Sequence, residues 1–376
     1  MIKICRSKLS FNVYRLAIGL VILFALFVAT YYTFFHQGST QHSREVNAVL
    51  QKSTTQVFEP VLPGTLLSFP KDFVSHPSYQ HEWWYINANV NSADGQEFGI
   101  QWTLFRFATA DNNDSGWQSP QMYMSHVVIT SEDKKWAEQR FARGGIGQAG
   151  VRANPFRAWI DNWSWSSPDI QIFPSTLRAA SDDFSFQLHM DNAGPIVLQG
   201  DKGYSQKHDQ LPIASHYFSM PFLKIEGALV LDGQDLTVKG DAWLDREWGS
   251  GMVDQEQQGW DWFSFHLDDG RALMVSQYRH NFQQPHKFGS ISEPSGSVTV
   301  LTHQDIRMTP LQTTKLSNGR LIPLQWMIDI PKYGINLTTQ PVRKEQWLPF
   351  LIPYWEGPIH AVGSHTAKGF MELTGY

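Results

Sequence analysis

One short pattern occurs twice in this 376-residue chain. The first copy opens at Glu82-Trp83-Trp84-Tyr85, turns at Asp94-Gly95 and closes on Gln101 to Arg106. The second opens at Trp260-Asp261-Trp262-Phe263, turns at Asp269-Gly270 and closes on Gln277-Tyr278-Arg279. Later signals also match. Glu226-Gly227 precedes Gly240-Asp241-Ala242-Trp243-Leu244-Asp245, and Glu356-Gly357 precedes Ala367-Lys368-Gly369-Phe370-Met371-Glu372. Order kept at both ends implies two diverged versions of one fold, each of single-domain size. We place the two units at 60–250 and 251–376.

The units read as all-β. Phe184 to Met190 alternates with period two, Ala272 to Tyr278 does so in part, and Val298 to Leu301 is a shorter β-rich run. Asp94-Gly95, Asp232-Gly233, Asp269-Gly270 and Asn318-Gly319 are hairpin cues, and Asp191 to Gly194 is a further turn signal. No long segment after residue 40 keeps a helical period. Closed antiparallel barrels would remove free edges; stacked sheets satisfy the same pattern. Alternation puts Trp84 and Ile86 on one face and Trp83 and Tyr85 on the other. Trp260 and Trp262 are likewise opposed to Asp261 and Phe263. With large rings on both faces, one face can fill a barrel while the other meets the partner unit.

Residues 16–35 form an uncharged apolar run long enough to span a bilayer as a helix. Lys3, Arg6, Lys8 and Arg15 precede it, which sets residues 1–15 in the cytoplasm. The run ends in bulky residues rather than a small-residue cleavage site, so an uncleaved signal anchor fits better than a secretory signal. Residues 36–59 are polar and read as a flexible stalk. The folded body is then expected outside a bacterial inner membrane, in the periplasm. The only cysteine, Cys5, precedes the apolar run, which excludes thiol catalysis and cysteine metal sites in the body. Net charge is −5 with no basic patch, which argues against nucleic acid. Fifteen Trp and 24 Phe supply rings for β cores or for an apolar cavity.

Two clusters carry candidate chemistry. In Trp243-Leu-Asp-Arg-Glu-Trp248 a strand puts Trp243, Asp245 and Glu247 on one face and Arg246 on the other. A carboxyl group against indole loses hydration, its pKa rises, and it becomes a proton donor. The alternative is a polar lock between units. In His81-Glu82-Trp83-Trp84-Tyr85, His81 and Glu82 are acid/base or ligand-donor candidates, or a hydrogen-bonded pair at a barrel mouth. The second histidine of a zinc motif is missing there, and no metal is expected. His126 and His216 sit in apolar strand-like runs, as core groups or site residues. No nucleophile elbow or phosphate loop occurs.

His81-Glu-Trp-Trp-Tyr85, Asp201-Lys-Gly-Tyr-Ser205, Trp243-Leu-Asp-Arg-Glu-Trp248, Gly259-Trp-Asp-Trp-Phe263 and Glu372-Leu-Thr-Gly-Tyr376 resemble the AttH proteins. These are the bacterial branch of the carotenoid 1,2-hydratase (hydroxyneurosporene synthase, CrtC-like) superfamily, and the likeness covers nearly all of 60–376. The resemblance implies two tandem lipocalin-like antiparallel β-barrels. The carotenoid branch adds water to an isolated double bond without a cofactor, through an aspartic acid that protonates the alkene. Asp245, followed by Trp248, matches that acid; Trp243 matches its aromatic neighbour; His216 with Phe218 matches a His-x-Trp pair loosely. Arg246-Glu247 replaces a neutral pair, and Arg246 beside Asp245 would favour the ionised carboxylate. The expectation is a tethered protein that binds an apolar or amphipathic small molecule, with Asp245 as acid and His216 and His81 as helpers. Glu82, Trp83, Trp84, Tyr85, His126, Phe218, Trp243, Glu247, Trp248, Trp260 and Trp262 are the candidate ligand contacts. A non-catalytic carrier serving an ABC-type envelope transporter, or a hydrolase as such proteins are often labelled, are the other readings.

Overall fold

The computed structural model describes residues 58–111, 114–253 and 256–376. The expected tail, the span at 16–35 and the stalk up to residue 57 lie outside the described residues. Among those described, helix is limited to three short 3-10 turns, and the rest of the regular structure is antiparallel strand. The body is all-β, as the pattern requires.

Two sheets form, of thirteen and ten strands. The first curls into a nearly closed barrel and the second into a half-barrel. In the first, strand His81–Ser92 lies between Glu97–Ala108 and Gln234–Gly249. In the second, Gln257–Leu267 lies between Ala272–His280 and Ala367–Thr374. The two copies of the sequence pattern therefore occupy the same topological place: an opening hairpin with an Asp-Gly turn, closed by the unit's last strand. The seams correspond as well. Each sheet's free edges are two strands consecutive in the chain, Lys135–Arg143 with Ala149–Ala153, and Val298–Leu301 with Arg307–Lys315. Arg140, on the edge strand Lys135–Arg143, bonds beyond its own ladder. Its Nη2 donates to the Ala180 carbonyl at 2.9 Å, and its guanidinium lies 4.0 Å from the Trp163 ring centre.

One matched signal fails. Glu226 is exposed opposite Lys239, whereas buried Glu356 faces Glu372. With Asp245 set against Glu372, the residue equivalent to Glu356 is Ser219, the register partner of Asp245. The Glu-Gly dipeptide matched in sequence but falls at a different height on its strand.

Period-two alternation sorts the rings into three cores. Trp84, Ile86, Trp102, Leu104, Leu244 and Trp248 fill the first barrel. Phe263, Phe265, Leu273, Val275 and Trp326 fill the second. Tyr85, Tyr217, Trp243, Trp262, Tyr278 and Phe288 come from the opposite faces of the same strands and form a third cluster between the sheets. Each large buried side chain contributes roughly 1.5–3 kcal/mol. The lumens are thus packed with side chains; a cleft lies between the sheets, and a more open hollow lies beside Phe69, Phe73, Phe173 and Met220 of the first barrel.

Buried ion clusters stopper both lumens. In the first, Glu82 pairs with Arg106 and Arg246 and bonds to His76, while Arg246 sits 3.8 Å from the centre of Trp84. In the second, Asp261 pairs with Arg279 at 3.1 Å and accepts from Gln277 and Tyr376. Both acids lie on the unit's first strand and both pair with an arginine on its second.

Candidate active site

The space between the sheets is a cleft walled by aromatic and acidic side chains of both sheets. The first sheet supplies Trp83, Tyr85, Thr103, Phe105, Asp245 and Glu247, and the second supplies Trp260, Trp262, Tyr278, Phe288, Glu356 and Glu372. These residues recur at every second position along their strands, so one face of each strand builds the cleft wall while the other faces a lumen. An apolar lining with a few converging polar groups suits an apolar or amphipathic ligand.

Asp245 is held by three donors. Ser219 Oγ reaches Oδ1 at 2.5 Å and Trp243 Nε1 reaches it at 2.7 Å, while the Tyr217 hydroxyl donates to Oδ2 at 2.8 Å. The Tyr217 oxygen in turn accepts from Trp262 Nε1 at 3.2 Å, a link across the sheets. Burial pushes Asp245 up to about 7; its three hydrogen bonds oppose the rise, and nearby Glu247 adds to it. A population of neutral acid at neutral pH follows. Arg246 does not reverse this. It points into the lumen and bonds to Glu82 and to the carbonyls of Val74 and Trp83. The expectation that Arg246 would favour an ionised Asp245 fails because adjacent strand residues face opposite ways.

Further acids share the cleft. Glu372 accepts from Trp260 Nε1 at 2.9 Å. Burial pushes it up to about 8, with Asp245 and Glu247 adding to the rise. Glu356 accepts from the Tyr85 hydroxyl, and burial together with Glu372 drives it well above the usual carboxyl range. Glu247 is different, because Lys207 Nζ pairs with it at 2.7 Å. Burial pushes Lys207 below its ordinary value, and Glu247 opposes that. The ammonium lies 4.4 Å from the centre of Phe288 and 4.9 Å from that of Tyr217, a cation held by rings.

The sequence-predicted residues divide by face. Trp83, Tyr85, Asp245, Glu247, Trp260 and Trp262 line the cleft, and Trp243 backs it through its bond to Asp245. His126 stands behind the wall. Its Nδ1 lies 2.7 Å from the Tyr354 hydroxyl, and burial lowers it to about 3, so it is neutral. His81 shares the strand face of Trp83 but packs against Phe107 outside the cleft lining. Trp84, Phe218 and Trp248 belong to the first lumen, and His216 faces it too, 3.3 Å from the Tyr79 hydroxyl. Glu82 is in the lumen stopper, where the two arginines hold it well below the usual carboxyl range despite burial. His216 and Glu82 therefore sit on the opposite side of their strands from Asp245.

Sequence reasoning missed Lys207, Tyr217, Tyr354, Glu356 and Glu372. Glu372 was within reach, because the repeat sets it against Asp245. Tyr354 and Glu356 alternate on one strand with Trp355 between them. Lys207 lies outside the named strands and gave no signal.

The comparisons agree with this architecture. The AttH-like family profile matches residues 60–376. A crystal structure of an AttH protein from Nitrosomonas europaea superposes with a TM-score of 0.77 at 30% identity, covering 85% of this chain and 99% of that one. Kievitone hydratase from Nectria haematococca has the same fold, with a TM-score of 0.62 at 15% identity over 86% of this chain and 98% of that one. CghA, solved with Sch210972, gives a TM-score of 0.52 at 12% identity over 86% and 97%. No curated protein matches the sequence. With its profile matched from Pro60 to the last residue and its two-sheet body shared with the Nitrosomonas protein, this chain belongs to the AttH-like family.

Proposed function

We propose that the cleft between the sheets binds an apolar or amphipathic small molecule and that Asp245 protonates it in cofactor-free acid/base chemistry. The observation that carries this reading is a fully enclosed carboxyl group, paired with no Lys or Arg among the described residues, on the wall of an aromatic cleft. Likeness in fold to a named hydratase agrees with it. The balanced step is a hydration. The Asp245 proton goes to one alkene carbon, and the cation that forms on the other is flanked by Trp83, Trp260 and Trp262. Water adds its oxygen there and loses one proton to a cleft carboxylate, from which Asp245 is reprotonated. An acid so placed contributes typically about 10²–10⁴-fold in rate. His126 and Tyr354 hold the far wall. The chain works tethered to the outer face of the inner membrane through residues 16–35.

A second reading has one observation behind it. The run of bonds from Asp245 through Tyr217 to Trp262 also suits a polar group that only locks the sheets, and the cleft would then carry its ligand without change, in service of an envelope transporter. Asp245→Asn in the full chain separates the two. Chemistry predicts retained binding of the ligand that co-purifies from the native host, lost turnover and a melting temperature within a few degrees of wild type. A large drop in melting temperature with no turnover in the wild type would favour the lock.

A further inference from the structure

Glu356 and Glu372 are register partners on adjacent antiparallel strands, so their side chains stand side by side on the cleft face. Like charges directly opposite are unfavourable, and among the described residues no Lys or Arg makes an ion pair with either one or with Asp245. Among the described residues Lys207 is the only Lys or Arg on the cleft wall, and it is already paired with Glu247. A second observation points the same way. Gln101 is 2% exposed and lines the cleft, and its Nε2 is committed to Tyr354 and Thr103, but its Oε1 meets no donor. The wall around the acid pair therefore offers spare acceptors, with Tyr85, Trp83, Trp260 and Trp262 as ring surface beside them. Lys207 shows what such surroundings hold: an ammonium between a carboxylate and aromatic faces.

We propose that the Glu356–Glu372 pair is the recognition site for a cationic nitrogen, so that the cleft takes an apolar organic amine or ammonium compound. The inference rests on the cleft being the ligand site and adds the ligand's chemical class. It also divides the labour between the two copies of the fold. The first copy presents Asp245 to the reacting part of the ligand, and the second copy anchors the charged nitrogen at the position equivalent to Asp245. Burial raises both glutamates, so the pair gives up one proton as the cation binds, and the one net negative charge left on it suffices for a monovalent cation.

The test is a titration of tryptophan fluorescence in the full chain at neutral pH with three matched probes: phenylbutylamine, phenylbutanol and phenylbutyrate. The amine is expected to bind about tenfold tighter than the alcohol, and the butyrate weakest. Glu356→Gln with Glu372→Gln is expected to bring amine affinity down to that of the alcohol and leave the alcohol unchanged. These exchanges keep the shape and remove repulsion, so the double variant is expected to melt no lower than wild type. Should it fail to fold, Glu372→Gln alone is expected to shrink the preference. Alcohol or butyrate binding as tight as the amine, or a preference that survives both substitutions, overturns the proposal. If none of the three binds, the cleft reading falls with it.

Discussion

Asp245 and Glu372 carry a pH signature of their own. Each has its folded pKa raised above its ordinary value, Asp245 from 3.8 to about 7 and Glu372 from 4.5 to about 8. Between the ordinary and raised values the folded state holds more protons than the unfolded one, so stability falls as pH rises through that window. Melting measured from pH 4 to pH 8 should decline more steeply in wild type than in a variant with Asp245→Asn and Glu372→Gln, by about 2 kcal/mol or more. Equal slopes would contradict the buried, unpaired state of these acids. A proton-donor role further predicts turnover that declines as pH rises past about 7, and a rate rising through that range would contradict it. At this scale the sequence told which residue types matter better than which way they face. Asp245 with Trp243 and Glu247 was readable, because period two puts them together. His216 was not, because its pairing with Phe218 carries no sign of which side is the lumen.

The strands themselves were largely legible. Four of the five turn signals join paired strands, at Asp94-Gly95, Asp232-Gly233, Asp269-Gly270 and Asn318-Gly319, and each opens its second strand within a few residues. The fifth, Asp191 to Gly194, starts two residues early: Asp191 and Asn192 are still paired with Lys224 and Leu223, and the chain leaves the strand at Ala193. What alternation could not say is that each lumen is closed by ions. Glu82 lies fully buried between Arg106 and Arg246, far better matched than a surface pair. Glu82→Gln leaves two buried guanidinium groups short of their counter-ion and should cost about 3–5 kcal/mol in denaturant unfolding. Cleft binding by the surviving folded fraction should be unchanged, because the stopper and the cleft are on opposite faces. An altered probe affinity in folded Glu82→Gln would show that the two are coupled.

The duplication explains the molecule as a whole. One fold used twice gives two filled lumens, and packing their outer faces against each other makes a single cleft to which both copies contribute. The repeat announced the doubling, but whether the ligand space lay within or between the barrels depended on how residues far apart in sequence fill each lumen. Part-exposed contacts between the units add little. Glu97 pairs with His360 and Lys368 across the units in part-exposed surroundings, and Glu97→Ala should change stability by less than about 1 kcal/mol. The buried ring cluster does more, so the described body should melt in one transition, seen alike by fluorescence and circular dichroism. The most direct test is photolabelling of the full chain with an apolar diazirine amine, followed by peptide mass spectrometry. The account predicts adducts on both walls of the cleft, at Trp83 or Phe105 from the first sheet and at Trp260 or Phe288 from the second, with Trp102 and Trp326 in the lumens unmodified. Adducts confined to the lumens, or to exposed Trp117, would contradict it.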